Sequence, residues 1–214
     1  MTAPMEMLRM SEAAVISGIT LRDVNRAIDE GILPAGFFSV ENGRHVVPAA
    51  CMVMSFYFSS ARSLTAEERV YAIKAAEPRL RDWHVSRRRG ESWTVRHEFL
   101  TIDFAPFAER IVARLDRLAA AREIVESSPE ILGGTPVIRG TRIPVHDLAA
   151  SISMGDSVER VLAAYPGLDG ETLELAALYA EAYPMRGRPR GAGELPKGAV
   201  IISDRRVPRH RRAG

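Results

Sequence analysis

Residues 8–47 carry the pattern that most restricts the fold of this chain: two short helices joined at a glycine and followed by a hairpin. Ser11 is a predicted N-cap for a helix over residues 12–17, and Gly18 makes the turn that follows it. Thr20 is placed to cap the second helix. Apolar residues recur there at helical spacing and predict a buried stripe made of Leu21, Val24 and Ile28.

A hairpin is predicted next, because Asn42-Gly43 lies between two β-rich runs and is a strong signal for a tight connection between strands. Pro48 suits the start of a third helix over residues 49–60. The order helix, turn, helix and hairpin predicts a winged helix-turn-helix domain over residues 1–62. For the chain as a whole we expect a mainly α fold.

The exposed side of the second predicted helix carries side chains that are suited to reading DNA in the major groove. Arg22 and Arg26 are placed to reach guanine edges or phosphates, and Asn25 to pair with adenine. Arg44, on the hairpin, is placed near a phosphate. The alternative is that two packed helices have only a structural role, and the charge favours it, since residues 1–62 hold five arginines and six acids. With operator DNA as the partner we expect a homodimer, because such repressors read paired half-sites.

Residues 63–126 are predicted to hold a helix, a middle β-hairpin and a connecting helix. Thr65 and Glu68 form a capping box, and the helix that they begin is expected to end at Pro78. Two β-like runs and an amphipathic helix follow, at residues 83–85, 93–104 and 106–126.

Residues 127–184 have the pattern of a small helical domain. Gly133-Gly134 and Gly140 separate two short extended pieces, and three helices are predicted to start near Pro144, Asp156 and Asp169. Glycines near a helix start can cradle a phosphate, but no Gly-Lys-Ser/Thr follows and two prolines remove amide donors. Turns around short strands are the favoured interpretation, with Arg139 and Arg142 free for a partner or for DNA.

The same segment resembles a small domain of unknown function that recurs in VapB-type antitoxins. The matching positions are Pro129, Gly133-Gly134, Pro136-Val137, Arg139-Gly140-Thr141-Arg142-Ile143-Pro144-Val145, Gly155, Tyr165-Pro166 and Tyr179-Ala180. Residues 8–47 look like the winged-helix start of MerR-type regulators and excisionases. The resemblance implies an antitoxin that represses its own operon and blocks a toxin with a PIN-type ribonuclease fold. In such pairs the catalytic residues belong to the toxin.

Residues 185–214 hold nine Lys/Arg and two acids, so this segment carries +7 and leaves −5 for residues 1–184. Five glycines, three prolines and no helical period predict a basic tail that is flexible when alone. In the antitoxin interpretation an apolar stretch lies against the toxin as a strand or in a groove, and it consists of Val200, Ile201 and Ile202. Arg205 and Arg206 then reach the carboxylates of the toxin's metal site. The alternative is a disordered tail that adds non-specific DNA affinity.

We expect no catalytic activity, metal or cofactor in the chain itself. The five histidines show no ligand spacing, and Cys51 lies in an apolar run where packing is its expected role. No apolar run is long enough to span a membrane, and a lone cysteine is typical of the cytoplasm. The alternative to an antitoxin is a MerR-like transcription regulator without a toxin partner.

Overall fold

The computed structural model describes residues 7–83, 93–97 and 100–185, and most of these residues lie in helices, as the sequence predicts. The helices are α1 (Met10–Ser17), α2 (Leu21–Asp29), α3 (Pro48–Ser59), α4 (Ala66–Asp82), α5 (Ala105–Glu123), α6 (Val145–Ser153), α7 (Val158–Ala164) and α8 (Gly170–Ala182). The strands are β1 (Leu8–Arg9), β2 (Phe38–Ser39), β3 (His45–Val46), β4 (Thr94–His97), β5 (Leu100–Asp103), β6 (Val125–Glu126) and β7 (Val137–Ile138). Residues 1–184 form one structural unit, and Met185 belongs to a second one, residues 185–214.

The turn between α1 and α2 forms where the sequence predicts it, with Gly18 in the left-handed conformation at a φ of 69°. Thr20 caps α2 as predicted, because its hydroxyl accepts a hydrogen bond of 3.1 Å from the amide of Asp23. The predicted cap at Ser11 is wrong, since α1 begins two residues earlier than predicted, at Met10, and its N-cap is Arg9. The Ser11 hydroxyl donates instead to the carbonyl of Ala182, at 2.7 Å, so a tertiary partner has replaced the local one.

The buried stripe of α2 differs from the prediction at its first position. Val24 and Ala27 are fully buried, and Ile28 packs against the same core. Leu21 is 47% exposed, so its predicted burial is wrong. The reason is the shortness of the turn, which lets Ile19 pack against the core in its place.

The first predicted hairpin is present as β2 and β3, which run antiparallel with Phe38 opposite Val46. Asn42 and Gly43 lie in its loop at positive φ, 56° and 103°. β1 pairs with the other edge of β3, so the strand order is β1-β3-β2. This third strand is not among the predicted elements, because two residues are too few to show the alternation by which strands are recognised.

The main core is built around α3, whose residues 49–57 are all buried. Cys51 has no exposed surface, and burial raises the pKa of its thiol to about 12. The thiol is therefore protonated at neutral pH and packs as a small apolar group, which is the role that the sequence predicts.

α4 begins at the predicted capping box, in which Thr65 and Glu68 exchange hydrogen bonds. Its predicted end at Pro78 is wrong, because the helix continues for about one more turn. Proline removes one helical hydrogen bond, but Leu80 and Trp83, which follow it, are buried in the main core. Burial of these two side chains outweighs the lost bond.

The middle hairpin is present, but it pairs different segments from those expected. β4 and β5 are antiparallel, with buried Val95 opposite buried Ile102, so the run over residues 93–104 folds back on itself. The expected partner run does not supply a strand at Trp83, which is the C-cap of α4. The remainder of that run lies outside the described residues.

The connecting helix is α5, and it ends earlier than predicted, at Glu123, because Val125 and Glu126 form β6. β6 pairs with β7, and the helices α6, α7 and α8 close a second, smaller core next to this pair. The buried residues of this core are Val125, Ile138, Val145, Leu148, Val161, Leu173 and Ala176.

The helix starts of this smaller core follow the predicted signals with one exception. Asp169 caps α8 as predicted, accepting a hydrogen bond of 2.7 Å from the amide of Thr172. The cap of α7 is Ser157 rather than the predicted Asp156, because the Ser157 hydroxyl accepts from the amide of Arg160 at 3.3 Å. Within the described residues, none of the helices has the length and apolar character needed to cross a membrane.

Candidate nucleic-acid interface

A side chain of α5 contacts the end of α1 and the turn that precedes α2. The guanidinium of Arg114, in α5, donates a hydrogen bond of 3.1 Å to the carbonyl of Ile16, near the end of α1. Gly18 lies directly against this guanidinium, since a Cβ at that position would be 2.2 Å from it. The turn requires glycine for its positive φ, and a Cβ there would also displace the arginine side chain.

The structure brings the four predicted DNA-contacting residues to one side of the molecule. Arg22, Asn25 and Arg26 follow one another along the outer side of α2, and Arg22 and Arg26 are exposed. Arg44, just before β3, donates a hydrogen bond of 3.0 Å to the side-chain oxygen of Asn25. A second bond from Arg44, to Asp29 at 2.7 Å, holds the hairpin loop beside the helix.

These residues differ in how strongly they are already engaged. Arg26 is paired with Glu30 at 2.7 Å, and this hydrogen bond raises the pKa of Arg26. Asn25 uses its amide nitrogen to bond the carbonyl of Leu21 at 2.9 Å, while its oxygen is taken by Arg44. Arg22 is exposed and forms no ion pair with any residue that the structure describes.

This face carries one more acid than base, so it is not a basic patch. Along α2, its C-terminal end and the hairpin loop there are three cations and four anions: Arg22, Arg26 and Arg44, and Asp23, Asp29, Glu30 and Glu41. Exposed ion pairs of this kind contribute little to stability and exchange readily for other partners. The face can therefore release its arginines to phosphates, but its own field does not attract nucleic acid from a distance.

A buried polar cluster, which the sequence analysis did not identify, joins α1 to α5 and to the end of α8. Its centre is the carboxylate of Glu12, which is 4% exposed. The hydroxyl of Tyr183 and the guanidinium of Arg122, the latter at 2.9 Å, both donate to one oxygen of Glu12. The amide of Arg9 donates to the other oxygen at 2.7 Å.

The cluster shifts the acid–base behaviour of its members in a consistent direction. Burial alone would raise the pKa of Glu12, but the hydrogen bonds from Tyr183, from the Arg9 amide and from Arg122 outweigh it and lower the pKa. Burial and the hydrogen bond to Glu12 raise the pKa of Tyr183 to about 12. At neutral pH the cluster therefore holds a carboxylate, a guanidinium and a neutral phenol.

The chain is 60% identical over 219 residues to the uncharacterized protein y4eO of Sinorhizobium fredii (strain NBRC 101917 / NGR234), and the alignment covers 100% of this chain and 98% of that protein. The chain belongs to the y4eO family. A family model described as a protein of unknown function, DUF433, matches residues 125–180. No solved structure matches the chain.

In this member of the y4eO family the DUF433 segment coincides with the smaller core, from β6 into α8. The match confirms the small domain of unknown function that the sequence resembles, and both the match and β6 begin two residues before the predicted boundary at residue 127. Glu12, Arg122 and Tyr183 lie outside the matched segment. The buried cluster links the end of α8, just beyond the DUF433 segment, to α1 and α5.

The arginines that the sequence predicts to be free for a partner differ in the structure. Arg139 is not free, because it donates to the backbone carbonyls of Glu123, at 2.7 Å, and Val125, at 3.3 Å. It secures the start of the DUF433 segment, whereas Arg142 is exposed. The predicted toxin-binding residues lie outside the described residues: Val200, Ile201, Ile202, Arg205 and Arg206. Within the described residues, no group of three His, Cys, Asp or Glu side chains is arranged to hold a metal ion.

Proposed function

We propose that this protein is a DNA-binding antitoxin of a type II toxin–antitoxin pair, which represses its own operon in the cytoplasm and inhibits a PIN-type ribonuclease toxin. The observation that carries the DNA-binding half is the outer side of α2. There Arg22 is exposed and unpaired with any described residue, and Arg44 holds the hairpin loop alongside the helix. A second helix with a hairpin held beside it is the arrangement expected of a winged helix-turn-helix reader.

In this proposal α2 enters the major groove, whose width of about 12 Å admits one helix. Arg22 contacts a base edge or a phosphate directly. Arg44 exchanges Asp29 for a phosphate on the flanking strand while its other nitrogen keeps the bond to Asn25. Because the face has no excess of positive charge, affinity comes from these specific contacts. A homodimer that spans two half-sites supplies the remaining affinity.

The antitoxin half of the proposal rests on the sequence of residues 185–214 and on the resemblance of residues 127–184 to a domain of VapB-type antitoxins. A segment with +7 charge is suited to an acidic ribonuclease site. Arg205 and Arg206 are placed to form bidentate contacts with its carboxylates, behind an apolar stretch that ends at Ile202.

The alternative function is a MerR-like transcription regulator without a toxin partner. The described interface favours neither version, because α2 and the hairpin would serve both. Two measurements separate them. Gel-shift titration with the protein's own promoter tests DNA binding, and co-expression with the product of the adjacent gene tests the toxin.

An antitoxin is expected to bind promoter DNA and also to co-purify with the adjacent gene product and silence its ribonuclease activity. Promoter binding without a co-purifying ribonuclease would instead identify the plain regulator. No binding to promoter DNA at any salt concentration would contradict both versions.

A further inference from the structure

Leu21 has an unusual position for a large apolar side chain. It is the first residue of α2 and is 47% exposed, while the positions that follow on the inner side of the helix, Val24 and Ala27, are fully buried. Packing does not explain a leucine there, because Ile19 already covers the core at this turn. Leu21 also lies immediately before Arg22, at the N-terminal end of the proposed reading helix.

The polar side chains further along α2 are already engaged within the protein. The N-terminal end of the helix is therefore the part available for a first contact with the bases. Arg26 is occupied by Glu30, and both ends of the Asn25 amide are bonded within the protein. Helix-turn-helix proteins contact base edges mainly through the N-terminal residues of the second helix. Leu21 and Arg22 are the exposed side chains in that position.

We propose that Leu21 is a specificity-determining residue, whose isobutyl group contacts the C5-methyl group of a thymine in the major groove while Arg22 binds the neighbouring base or phosphate. The inference rests on the proposed DNA-binding function. The thymine methyl is the one apolar group that the base pairs present on the major-groove edge, and an apolar side chain gains affinity only by covering it. A polar residue at position 21 would gain nothing comparable from this group.

The bond between Asn25 and the Leu21 backbone supports this role. The Asn25 amide nitrogen donates to the Leu21 carbonyl at 2.9 Å, and Asn25 is itself held by Arg44. The first turn of α2 is therefore braced from the hairpin side. A contact made by a braced residue loses less entropy on binding than one made by a mobile side chain.

The test is a missing-methyl interference experiment with the full-length chain and a fragment of its own promoter in which thymine is partly replaced by uracil. Uracil differs from thymine only by the absent methyl group. Wild-type protein is expected to show one sensitive thymine in each half-site, with an affinity loss of about fourfold on replacement, the effect of one buried methyl. Leu21→Ala should bind the thymine and uracil versions of that position equally.

Two variants serve as controls. Met154→Ala removes a large apolar side chain that is 78% exposed at the end of α6, far along the chain from α2, and should leave the interference pattern unchanged. Arg22→Ala should weaken binding to both versions of the DNA while keeping the sensitivity to uracil. Since Leu21 is exposed, Leu21→Ala should unfold at the same temperature as wild type, which excludes a folding defect.

The possible failures are distinguishable. If wild-type protein binds the promoter but Leu21→Ala keeps the wild-type pattern, or if no thymine is sensitive, the role of Leu21 is wrong and the DNA-binding proposal stands. If wild-type protein binds no promoter fragment, the proposed function fails and the inference fails with it.

Discussion

Tyr183, the C-cap of α8, donates a hydrogen bond from its hydroxyl to the carboxylate of Glu12 in α1, 171 residues earlier in the chain. Arg122 of α5 donates to the same oxygen, so three distant segments meet at one buried acid. The DUF433 segment ends three residues before Tyr183. This cluster, together with Ala182 in the main core, secures α1 to the C-terminal part of the fold.

Replacing the central acid should destabilise the protein strongly. Glu12→Ala leaves the Arg122 guanidinium, the Tyr183 hydroxyl and the Arg9 amide without their shared acceptor, and we expect a loss of about 3 kcal/mol in the free energy of unfolding. Urea denaturation followed by circular dichroism measures it. The matched control is Glu174→Ala, which breaks the exposed ion pair with Arg117 at 2.7 Å and should change stability little. Equal effects of the two substitutions would contradict a structural role for the cluster.

The same acid should make stability depend on pH in the acidic range. The folded-state pKa of Glu12 is lowered, so its contribution is fully present above the ordinary value of 4.5 and is lost as the pH falls through the lower folded-state pKa. The free energy of unfolding should therefore fall more steeply below about pH 4.5 for wild type than for Glu12→Gln. Denaturation curves across this range test the prediction, and parallel profiles for the two proteins would refute it.

The turn before α2 should tolerate no side chain at Gly18. Gly18→Ala places a Cβ in the left-handed region and displaces the Arg114 guanidinium from the Ile16 carbonyl, for a combined loss of roughly 2 to 4 kcal/mol. Gly31→Ala is the control, because its φ is similar, at 66°, and nothing lies within 4 Å of the added Cβ. Gly31→Ala should lose only the stability that the left-handed backbone conformation costs a residue with a Cβ, about 1 to 2 kcal/mol.

Thermal unfolding of both glycine variants, alone and with Arg114→Ala, separates the backbone part from the contact with the arginine. In the absence of Arg114 the two glycine substitutions should have equal effects. A difference that persists without Arg114 would show that the close approach is not its cause.

The structure ranks the arginines of the proposed interface. Arg22→Ala should weaken promoter binding by about 1–3 kcal/mol if the side chain reads a base. Arg26→Ala should have a smaller effect, because Arg26 must first leave Glu30. Arg160→Ala is the control, since it also removes an exposed arginine with an acid four residues away, Asp156 at 3.3 Å. Gel-shift titration at fixed salt provides the comparison, and full affinity in the Arg22→Ala Arg26→Ala double variant would reject the interface.

The proposed role of residues 185–214 in toxin inhibition should be separable from the folding and DNA binding of residues 1–184. A chain that ends at Pro184 keeps every residue of both described cores and should fold normally. It should bind promoter DNA more weakly at low salt, because seven net positive charges are lost. It should also fail to inhibit the toxin, measured as RNA cleavage against rising antitoxin. Inhibition equal to that of the full chain would transfer the inhibitory role to the DUF433 segment.

A milder change tests the arginines of the tail alone. Arg205→Glu with Arg206→Glu places like charges against the carboxylates of the toxin and should abolish inhibition, while lysine at both positions should restore it only in part. If the glutamate variant inhibits normally, these two arginines do not enter the toxin site.

The features that were predictable from sequence are those decided by a few neighbouring residues. Thr20 and Asp169 cap helices because a hydroxyl or carboxylate three residues before an amide reaches it without help from elsewhere. Asn42-Gly43 lies in a hairpin loop because both residues tolerate positive φ. Distant parts of the chain have little influence at these positions.

Several predictions failed because a distant contact decides the outcome. Pro78 does not end α4, because Trp83 beyond it is buried in the main core. Arg139 is bound by the backbone of β6 and the residues before it, which the run of glycines around it does not reveal. Glu12 resembled an ordinary acid in the first turn of a helix, and no local pattern links it to Arg122.

The position of α1 has a consequence for synthesis on the ribosome. Two hydrogen bonds join α1 to the end of α8, Ser11 to Ala182 and Tyr183 to Glu12, and the two residues of each pair are 171 residues apart. α1 is therefore translated long before α8. At translation rates of about 5–20 residues per second, the nascent helix waits roughly ten to thirty seconds for that partner. During this interval the bonds that Ser11 and Glu12 make with Ala182 and Tyr183 cannot form, whereas Arg9 and Arg122, the other partners of Glu12, are synthesised before α8. Release of the chain before α8 would therefore leave this side of α1 uncovered.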